Sequence, residues 1–284
     1  MPEIKIFTTI EQMHQYCRMQ RKKGLSIGFV PTMGALHTGH VQLVEQSVEE
    51  NDITVCSIFV NPIQFNNPAD LEKYPRTFES DVAMLESASC DAVFYPENQE
   101  MYPEKPGNVY DFGLLEQVME GRFRKGHFNG VAIVVKKLLE IVVPHRAYFG
   151  EKDYQQLAII NKLVENEKIP VEIVPCPTVR EDDGLAMSSR NKRLNVAQRR
   201  QAPLIYNTLV KAKEMYKTKR VDEVIDYVSK AIGTNPEMKL EYFEISDTQT
   251  LQPVRENKPD KPVVACIAVY MGPVRLIDNM LFNL

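Results

Sequence analysis

The sequence predicts an α/β protein: a parallel sheet with helices on both faces over residues 1–178, then a smaller α+β domain over 179–284. Three observations carry this. Short β-branched runs alternate with helical apolar periods as far as Val174, and strand-helix-strand succession demands right-handed crossovers between parallel strands. Beyond Pro177 that alternation stops. A chain of 284 residues is also longer than one average core fills, so a boundary is expected.

The elements follow in order. Ile27–Pro31 reads as a strand, and Val41, Val44 and Val48 then share one helical face. Ile53–Val60 is the next strand, followed by a long loop rich in Pro and Asn, Asn61–Arg76. Asp91–Tyr95 is a third strand, before a second long loop, Met101–Phe112; loops of this length in a compact domain are often lids or binding loops. Ala147–Gly150 and Val171–Val174 are strands flanking a helix marked by Leu157, Ile160 and Val164. The C-terminal region reads as a charged helix over Ala197–Lys217, a second over Val221–Ile232, and strands at Leu240–Ile245, Val263–Tyr270 and Val274–Ile277. Parallel sheets bind ligands beyond the carboxyl ends of their strands, and every motif below falls at such an end.

Composition narrows the function. Hydrophobic residues make up 44% and charged ones 25%, as in an ordinary globular protein, and the net charge of −4 disfavours a general nucleic-acid or membrane-surface binder. Apolar runs such as Val131–Val135 are cut by lysines far short of a spanning helix, and the N-terminus lacks the basic start and apolar run of an export signal. The five cysteines are scattered with no C-x-x-C pair, which argues against disulfides or zinc and for the reducing cytoplasm.

The chemistry concentrates in a few stretches. Pro31-Thr32-Met33-Gly34-Ala35-Leu36-His37-Thr38-Gly39-His40 leaves a strand and enters a helix, whose N-terminal N–H groups and dipole suit phosphate. His37 and His40, three apart, add donors that can neutralise charge developing between phosphoryl groups. Met187-Ser188-Ser189-Arg190 offers hydroxyls and a guanidinium for polyphosphate, with Arg190 stabilising a leaving group. Asn61 and Gln64 present uncharged amides for a small hydroxy acid. At the end of the fourth strand Lys152 can reach phosphate and Asp153 can accept from ribose hydroxyls, with Gln156 close behind. Arg122 and His127 lie in a basic loop, Gly121–His127, that suits an anionic substrate or is simply exposed. No G-x-G-x-x-G follows the first strand, which disfavours a redox dinucleotide enzyme.

The H-x-G-H turn resembles the H-I-G-H signature of the nucleotidyltransferase superfamily, and Met187–Arg190 resembles its K-M-S-K-S signature. Ala186 and Ser189 stand where that signature has lysines, which counts against a tRNA synthetase. Around both signatures, P-T-M-G-A-L-H-T-G-H, F-V-N-P-I-Q-F (Phe59–Phe65), Y-P-R-T (Tyr74–Thr77), G-H-F-N-G-V (Gly126–Val131), F-G-E-K-D-Y-Q-Q-L (Phe149–Leu157) and D-G-L-A-M-S-S-R-N (Asp183–Asn191) resemble, in order, the pantoate-β-alanine ligase family.

That resemblance implies a Rossmann-like N-terminal domain, a small C-terminal lid, a homodimer and Mg²⁺. It implies ATP-dependent condensation of pantoate with β-alanine through pantoyl adenylate, releasing AMP and pyrophosphate. It assigns ATP to Met33, Gly34, Ala35, Leu36, His37, Thr38, Gly39, His40, Gly150, Glu151, Lys152, Asp153, Val179, Met187, Ser188, Ser189 and Arg190, with His40, His37, Lys152 and Arg190 catalytic. Pantoate and β-alanine fall to Gln64, Gln156 and Asn61, and Asp81 matches an acidic residue near the metal, although its often acidic neighbour is Ser80 here. The alternatives are a nucleotidylyltransferase acting on a phosphorylated acceptor, which would favour cations over the two glutamines, and an adenylate-binding module without turnover.

Overall fold

The computed structural model describes residues 3–257 and 261–282. The chain divides into two compact units. Residues up to Phe112, with Arg124–Glu151 and Gln156–Pro177, form the first, while Gly113–Phe123, Lys152–Gln155 and the residues from Thr178 onward form the second.

The first unit runs β1 (Lys5–Phe7), α1 (Ile10–Lys22), β2 (Ile27–Thr32), α2 (Thr38–Glu50), β3 (Ile53–Ile58), a single 3₁₀ turn (Pro62–Gln64), α3 (Pro68–Glu72), α4 (Phe78–Ser87), β4 (Ala92–Phe94) and α5 (Asn98–Met101). The short α6 (Met119–Phe123) belongs to the second unit; α7 (His127–Val142), β5 (Arg146–Gly150), most of α8 (Tyr154–Glu167) and β6 (Glu172–Cys176) complete the first. The six strands pair in the order β1-β4-β3-β2-β5-β6, all parallel. Central strands buried on both faces read as apolar runs, as β2 and β3 do, because helices cover both sides. One face packs Val30, Cys56, Ile58, Val93 and Tyr148 against Leu43 and Val44 of α2 and Leu85 of α4.

Five strands were expected and six are found. β1 has only three residues and α1 is mostly polar, so neither leaves a strong periodic trace, yet Lys5–Phe7 pairs with Ala92–Phe94 to form one edge of the sheet. The apolar run Val131–Val135 belongs to α7, a helix buried on most of its circumference.

The second unit holds α9 (Val196–Gln201), α10 (Leu204–Tyr216), α11 (Val221–Gly233), β7 (Met238–Asp247), β8 (Val263–Met271) and β9 (Val274–Phe282), the strands forming an antiparallel sheet in that order. Ile205, Leu209, Val224, Val228 and Ile232 pack on Phe243, Ile267 and Val269. The helix expected over Ala197–Lys217 is two helices: Pro203 lacks an N–H and would clash with the carbonyl four residues back, so α9 stops and Pro203 starts α10. β9 runs past Ile277 because the buried polar pair Asp278 and Asn279, which breaks the apolar pattern, is itself on the strand.

Candidate active site

The H-x-G-H turn is built around one buried carboxylate. At the end of β2, Thr32 donates its hydroxyl to the Ser57 carbonyl at 2.7 Å and accepts the Gly34 N–H at 3.1 Å. Gly34 then sits at φ 74° and Ala35 at φ 52°, two successive residues in the left-handed region. A Cβ on Gly34 would come to 3.0 Å from both Asp81 Oδ2 and the Ile58 side chain, so glycine is required there on two counts. Ala35 has no such freedom, and a conformation of this kind costs about 1–3 kcal/mol unless its surroundings impose it. Asp81 imposes it: its carboxylate accepts the Ala35 N–H at 2.9 Å, the Leu36 N–H at 2.8 Å and the Thr77 hydroxyl at 3.0 Å. The carboxylate for which a metal role was expected is thus buried and bonded to the turn's own backbone. Among the described residues no group of three His, Cys, Asp or Glu could hold a metal ion.

His37 is the N-cap of α2, its Nδ1 accepting the Gly39 N–H at 3.2 Å. That bond assigns the neutral ring's proton to Nε2 and makes Nε2 the donor. His40, in the first turn of α2, places its ring 4.1 Å from that of His37. Two half-buried imidazoles thus stand together where the helix dipole is positive.

The carboxyl end of β3 supplies the amides. Asn61 and Gln64 are buried, and the Asn61 amide nitrogen donates to Gln64 Oε1 at 3.0 Å and to the Gly130 carbonyl at 3.1 Å. Gln64 Nε2 contacts Met33 Sδ at 3.1 Å, which brings this turn against the H-x-G-H turn. The stretch Gly126–Val131 explains itself as the cradle for these residues. Gly126 caps α7 at φ 78°, and a Cβ on Gly130 would lie 2.6 Å from the Ile63 carbonyl and 2.8 Å from Gln64 Cα. His127 is buried, and its Nδ1 donates to the Gln64 carbonyl at 2.8 Å, because a carbonyl can only accept. The basic loop expected over Gly121–His127 is corrected accordingly: it contains α6 and the start of α7, and His127 supports Gln64 from inside the unit. Arg122 lies in the second unit with its guanidinium 5.8 Å from the centre of the Phe123 ring.

Beyond β5, Gly150 pairs with Cys176 and Glu151 opens a 3₁₀ turn, while Lys152–Gln155 belongs to the second unit. Asn279 Nδ2 donates to the Lys152 carbonyl at 2.8 Å, and the Lys152 ammonium lies 3.5 Å from Asp153. Neighbouring Asp278 is held by both guanidinium nitrogens of Arg180, at 2.7 and 3.0 Å. Burial pushes the Asp278 carboxyl up from the usual range, while Arg180 pulls the other way. The two adjacent glutamines separate cleanly. Gln155 has its amide fully used by the Leu115 and Val118 carbonyls and the Glu120 N–H, tying Gly113–Phe123 into the second unit. Gln156 lies in the first unit, half-buried, with no hydrogen bond from its amide to any described residue.

Val179 accepts the Met187 N–H at 2.9 Å, and Arg180 bridges to Ala186, so Val179–Met187 is a hairpin-like loop turning at Asp183-Gly184. Gly184 sits at φ 89° with the Tyr206 ring where a Cβ would be. Arg199 spans Glu181 at 2.5 Å and Asp183 at 2.6 Å and holds the Asp183 carboxyl below its usual range, while Asn191 bonds Glu181 at 2.8 Å and the Ala186 carbonyl at 3.1 Å. On this frame Ser188 caps the 3₁₀ helix Ser189–Arg193, its hydroxyl accepting the Arg190 N–H at 3.3 Å.

The first unit therefore brings together Met33, Gly34, Ala35, Leu36, His37, Thr38, Gly39, His40, Asn61 and Gln64, and the second holds Lys152, Asp153, Val179, Met187, Ser188, Ser189 and Arg190. Sequence reasoning missed Tyr102, which donates to Asn61 Oδ1 at 3.0 Å, and the Arg180–Asp278–Asn279 support of Lys152. Asp278 and Asn279 carry a trace, two adjacent polar residues inside a strand-like run; nothing near Tyr102 in sequence points to Asn61.

With this geometry in place, comparison with known proteins gives a consistent result. The family model described as pantoate-beta-alanine ligase matches residues 5–281. A pantothenate synthetase of Bacteroides fragilis is 49% identical over 280 residues, covering 99% of each chain. The crystal structure of pantothenate synthetase from Thermus thermophilus superposes with a TM-score of 0.91 at 40% identity, covering 98% of this chain and 99% of that one. Pantoate-beta-alanine ligase from Francisella tularensis, crystallised with a βγ-ATP ligand and β-alanine, gives a TM-score of 0.83 at 36% identity, covering 98% and 97%.

Proposed function

The chain belongs to the pantoate-β-alanine ligase family, and from that premise we propose that it condenses pantoate with β-alanine at the expense of ATP, by way of pantoyl adenylate. The observation that carries the reading is the contact between Met33 and Gln64, which sets an amide beside a turn suited to phosphate. A nucleotidylyltransferase for a phosphorylated acceptor would need cations at that place, where the residues are Asn61 and Gln64.

In the first step a pantoate carboxylate oxygen attacks the α-phosphorus, the new O–P bond forms and the bond to pyrophosphate breaks. The His37 Nε2–H, pointed by its cap bond, and the imidazole of His40 donate to the phosphate oxygens as charge builds. Gln64 and Gln156 hold the hydroxy acid, and Lys152, Ser188, Ser189 and Arg190 take the phosphates. In the second step the β-alanine amine attacks the acyl carbon, the C–O bond to AMP breaks, and the amine proton leaves to solvent. Mg²⁺, if used, would be held chiefly by ATP's own phosphates, whose charge it would partly neutralise.

A cytoplasmic homodimer completes the reading. The reducing compartment is supported by five buried, free cysteines, and the dimer by family membership; no described helix is long and apolar enough to cross a membrane.

The test is the nucleotide product. With ATP, pantoate and β-alanine the protein should release AMP, and with ATP and pantoate alone it should exchange labelled pyrophosphate into ATP. ADP and phosphate would overturn the adenylate route.

A further inference from the structure

The orientation of an amide side chain is ambiguous until one of its partners has only one possible role, and the Gly130 carbonyl is such a partner. It can only accept, so the group of Asn61 that faces it at 3.1 Å is the nitrogen. The second proton of that nitrogen points at Gln64, 3.0 Å away, which must present its oxygen. Asn61 Oδ1 is then left facing Tyr102, whose hydroxyl, at 3.0 Å, must donate. Hydrogen bonding therefore runs one way, from Tyr102 through Asn61 to Gln64.

Tyr102 is itself fixed. Lys137 stands 5.7 Å from the centre of its ring and donates to the carbonyl of Met101, the preceding residue. Burial pushes the Tyr102 phenol up from its usual range, so it remains a donor throughout the neutral region.

At the far end, the Gln64 nitrogen has one described partner, the thioether of Met33 at 3.1 Å, which is a weak acceptor. An amide turned this way offers N–H groups and no lone pair.

We propose that Tyr102, acting with the Gly130 carbonyl through Asn61, is a positioning residue that locks the Gln64 amide with its nitrogen toward the acid substrate, so that this point of the site accepts only an oxygen lone pair, such as that of a carboxylate. The inference rests on the pantoate-ligase reading for the identity of the acid and on the hydrogen-bond geometry alone for the relay.

Tyr102→Phe keeps the ring and removes the donor. The KM for pantoate should rise about tenfold, while the KM for ATP stays within about twofold and the unfolding midpoint is nearly unchanged. In a Gln64→Ala background the same substitution should add almost nothing, because the relay then has no end. Asn61→Asp, which can accept from Tyr102 but not donate to Gln64, should raise the KM for pantoate further than Tyr102→Phe does. Equal changes in the KM values for pantoate and ATP, or an undiminished effect of Tyr102→Phe in the Gln64→Ala protein, would overturn the proposal.

Nuclear magnetic resonance of the side-chain amides separates this from the activity. The Gln64 NH₂ signals should shift in Tyr102→Phe whether or not pantoate is the substrate, and unmoved signals would sink the relay. A parent protein that ignores pantoate would sink the ligase reading while leaving that signal to decide the relay.

Discussion

The two turns that carry the expected nucleotide chemistry are held by different forces. In the first unit, the Met33–His40 turn is organised by one buried carboxylate acting on backbone N–H groups, together with a threonine and a capping histidine. In the second, Met187–Arg190 and Lys152 stand on charge pairs between side chains: Arg199 with Glu181 and Asp183, and Arg180 with Asp278. Backbone bonds enforce a conformation the chain would otherwise avoid, which suits a turn that must aim two imidazoles. Ion pairs join segments far apart in sequence, such as Arg180 and Asp278, without straining either. One device sets angles, and the other sets which segments are neighbours.

The largest expected effect tests the second device. Asp278→Ala strands the Arg180 guanidinium and releases the strand that holds the Lys152 carbonyl. Removing one member of a buried pair is strongly destabilising, so urea unfolding should report a loss of about 3 kcal/mol. A loss under about 1 kcal/mol would mean that apolar packing around β9 holds Lys152 unaided.

The next effect is on rate. His40→Ala removes one donor to developing charge, a loss worth about 2.7–4 kcal/mol in a known oxyanion hole, so adenylation should fall on the order of a hundredfold or more. The fold should survive, because a half-buried position in the first turn of α2 is outside the core. A folded His40→Ala protein that forms adenylate within a few-fold of the parent rate would leave the ring only a structural role.

Asp81→Asn distinguishes the turn clamp from a metal ligand. An amide nitrogen directed at the Ala35 or Leu36 N–H loses an acceptor and sets donor against donor, which should cost about 1–3 kcal/mol and slow adenylation. Excess Mg²⁺ should not restore the rate. Restoration by Mg²⁺ would return Asp81 to the metal and leave the left-handed Ala35 without its explanation.

These differences also explain what the sequence made legible. The alternation of strand and helix, the motifs at strand ends and the chemistry of H-x-G-H are local, so residues close in sequence reveal them. Gly34 and Gly130 were visible as motif letters, and their reasons, a positive φ at one and the close approach of the Gln64 backbone at the other, needed coordinates. β1 was hidden because three residues carry no period, and the break at Pro203 was overlooked inside an otherwise helical stretch. Arg180, Asp278, Asn279 and Tyr102 act across long sequence separations, and no spacing rule joins them to Lys152 or Asn61. Asp81 stands out in the sequence as an acidic residue near a phosphate turn, and its bonds to the Ala35 and Leu36 N–H groups, 46 and 45 residues away, emerge only from the coordinates.

The smallest effect separates the two devices by pH. In the first unit His145 Nδ1 accepts the Ile27 N–H at 2.9 Å, a bond that a protonated ring cannot make. Burial, with Arg21 and Arg146 nearby, lowers the His145 pKa from its ordinary value against a weaker opposing pull from Asp52. The folded state thus holds the ring neutral at pH values where the unfolded chain has already bound a proton. The contribution is complete above the unfolded value of about 6.5 and is lost as pH falls from there through the folded value. In the second unit Asp183, held down by Arg199, contributes above its unfolded value of about 3.9 and fades only as pH drops below it. Unfolding midpoints measured from pH 7.5 to 5.5 should therefore slope downward less in His145→Gln than in the parent, while Asp183→Asn should leave the slope in that range unaltered. The shift will be modest because His145 is an exposed residue, only partly desolvated. A parent curve flat across that range would remove the His145 contribution, and one flattened by Asp183→Asn would place the sensitivity near neutral pH in the ion pairs of the second unit and not in the backbone bond beside β2.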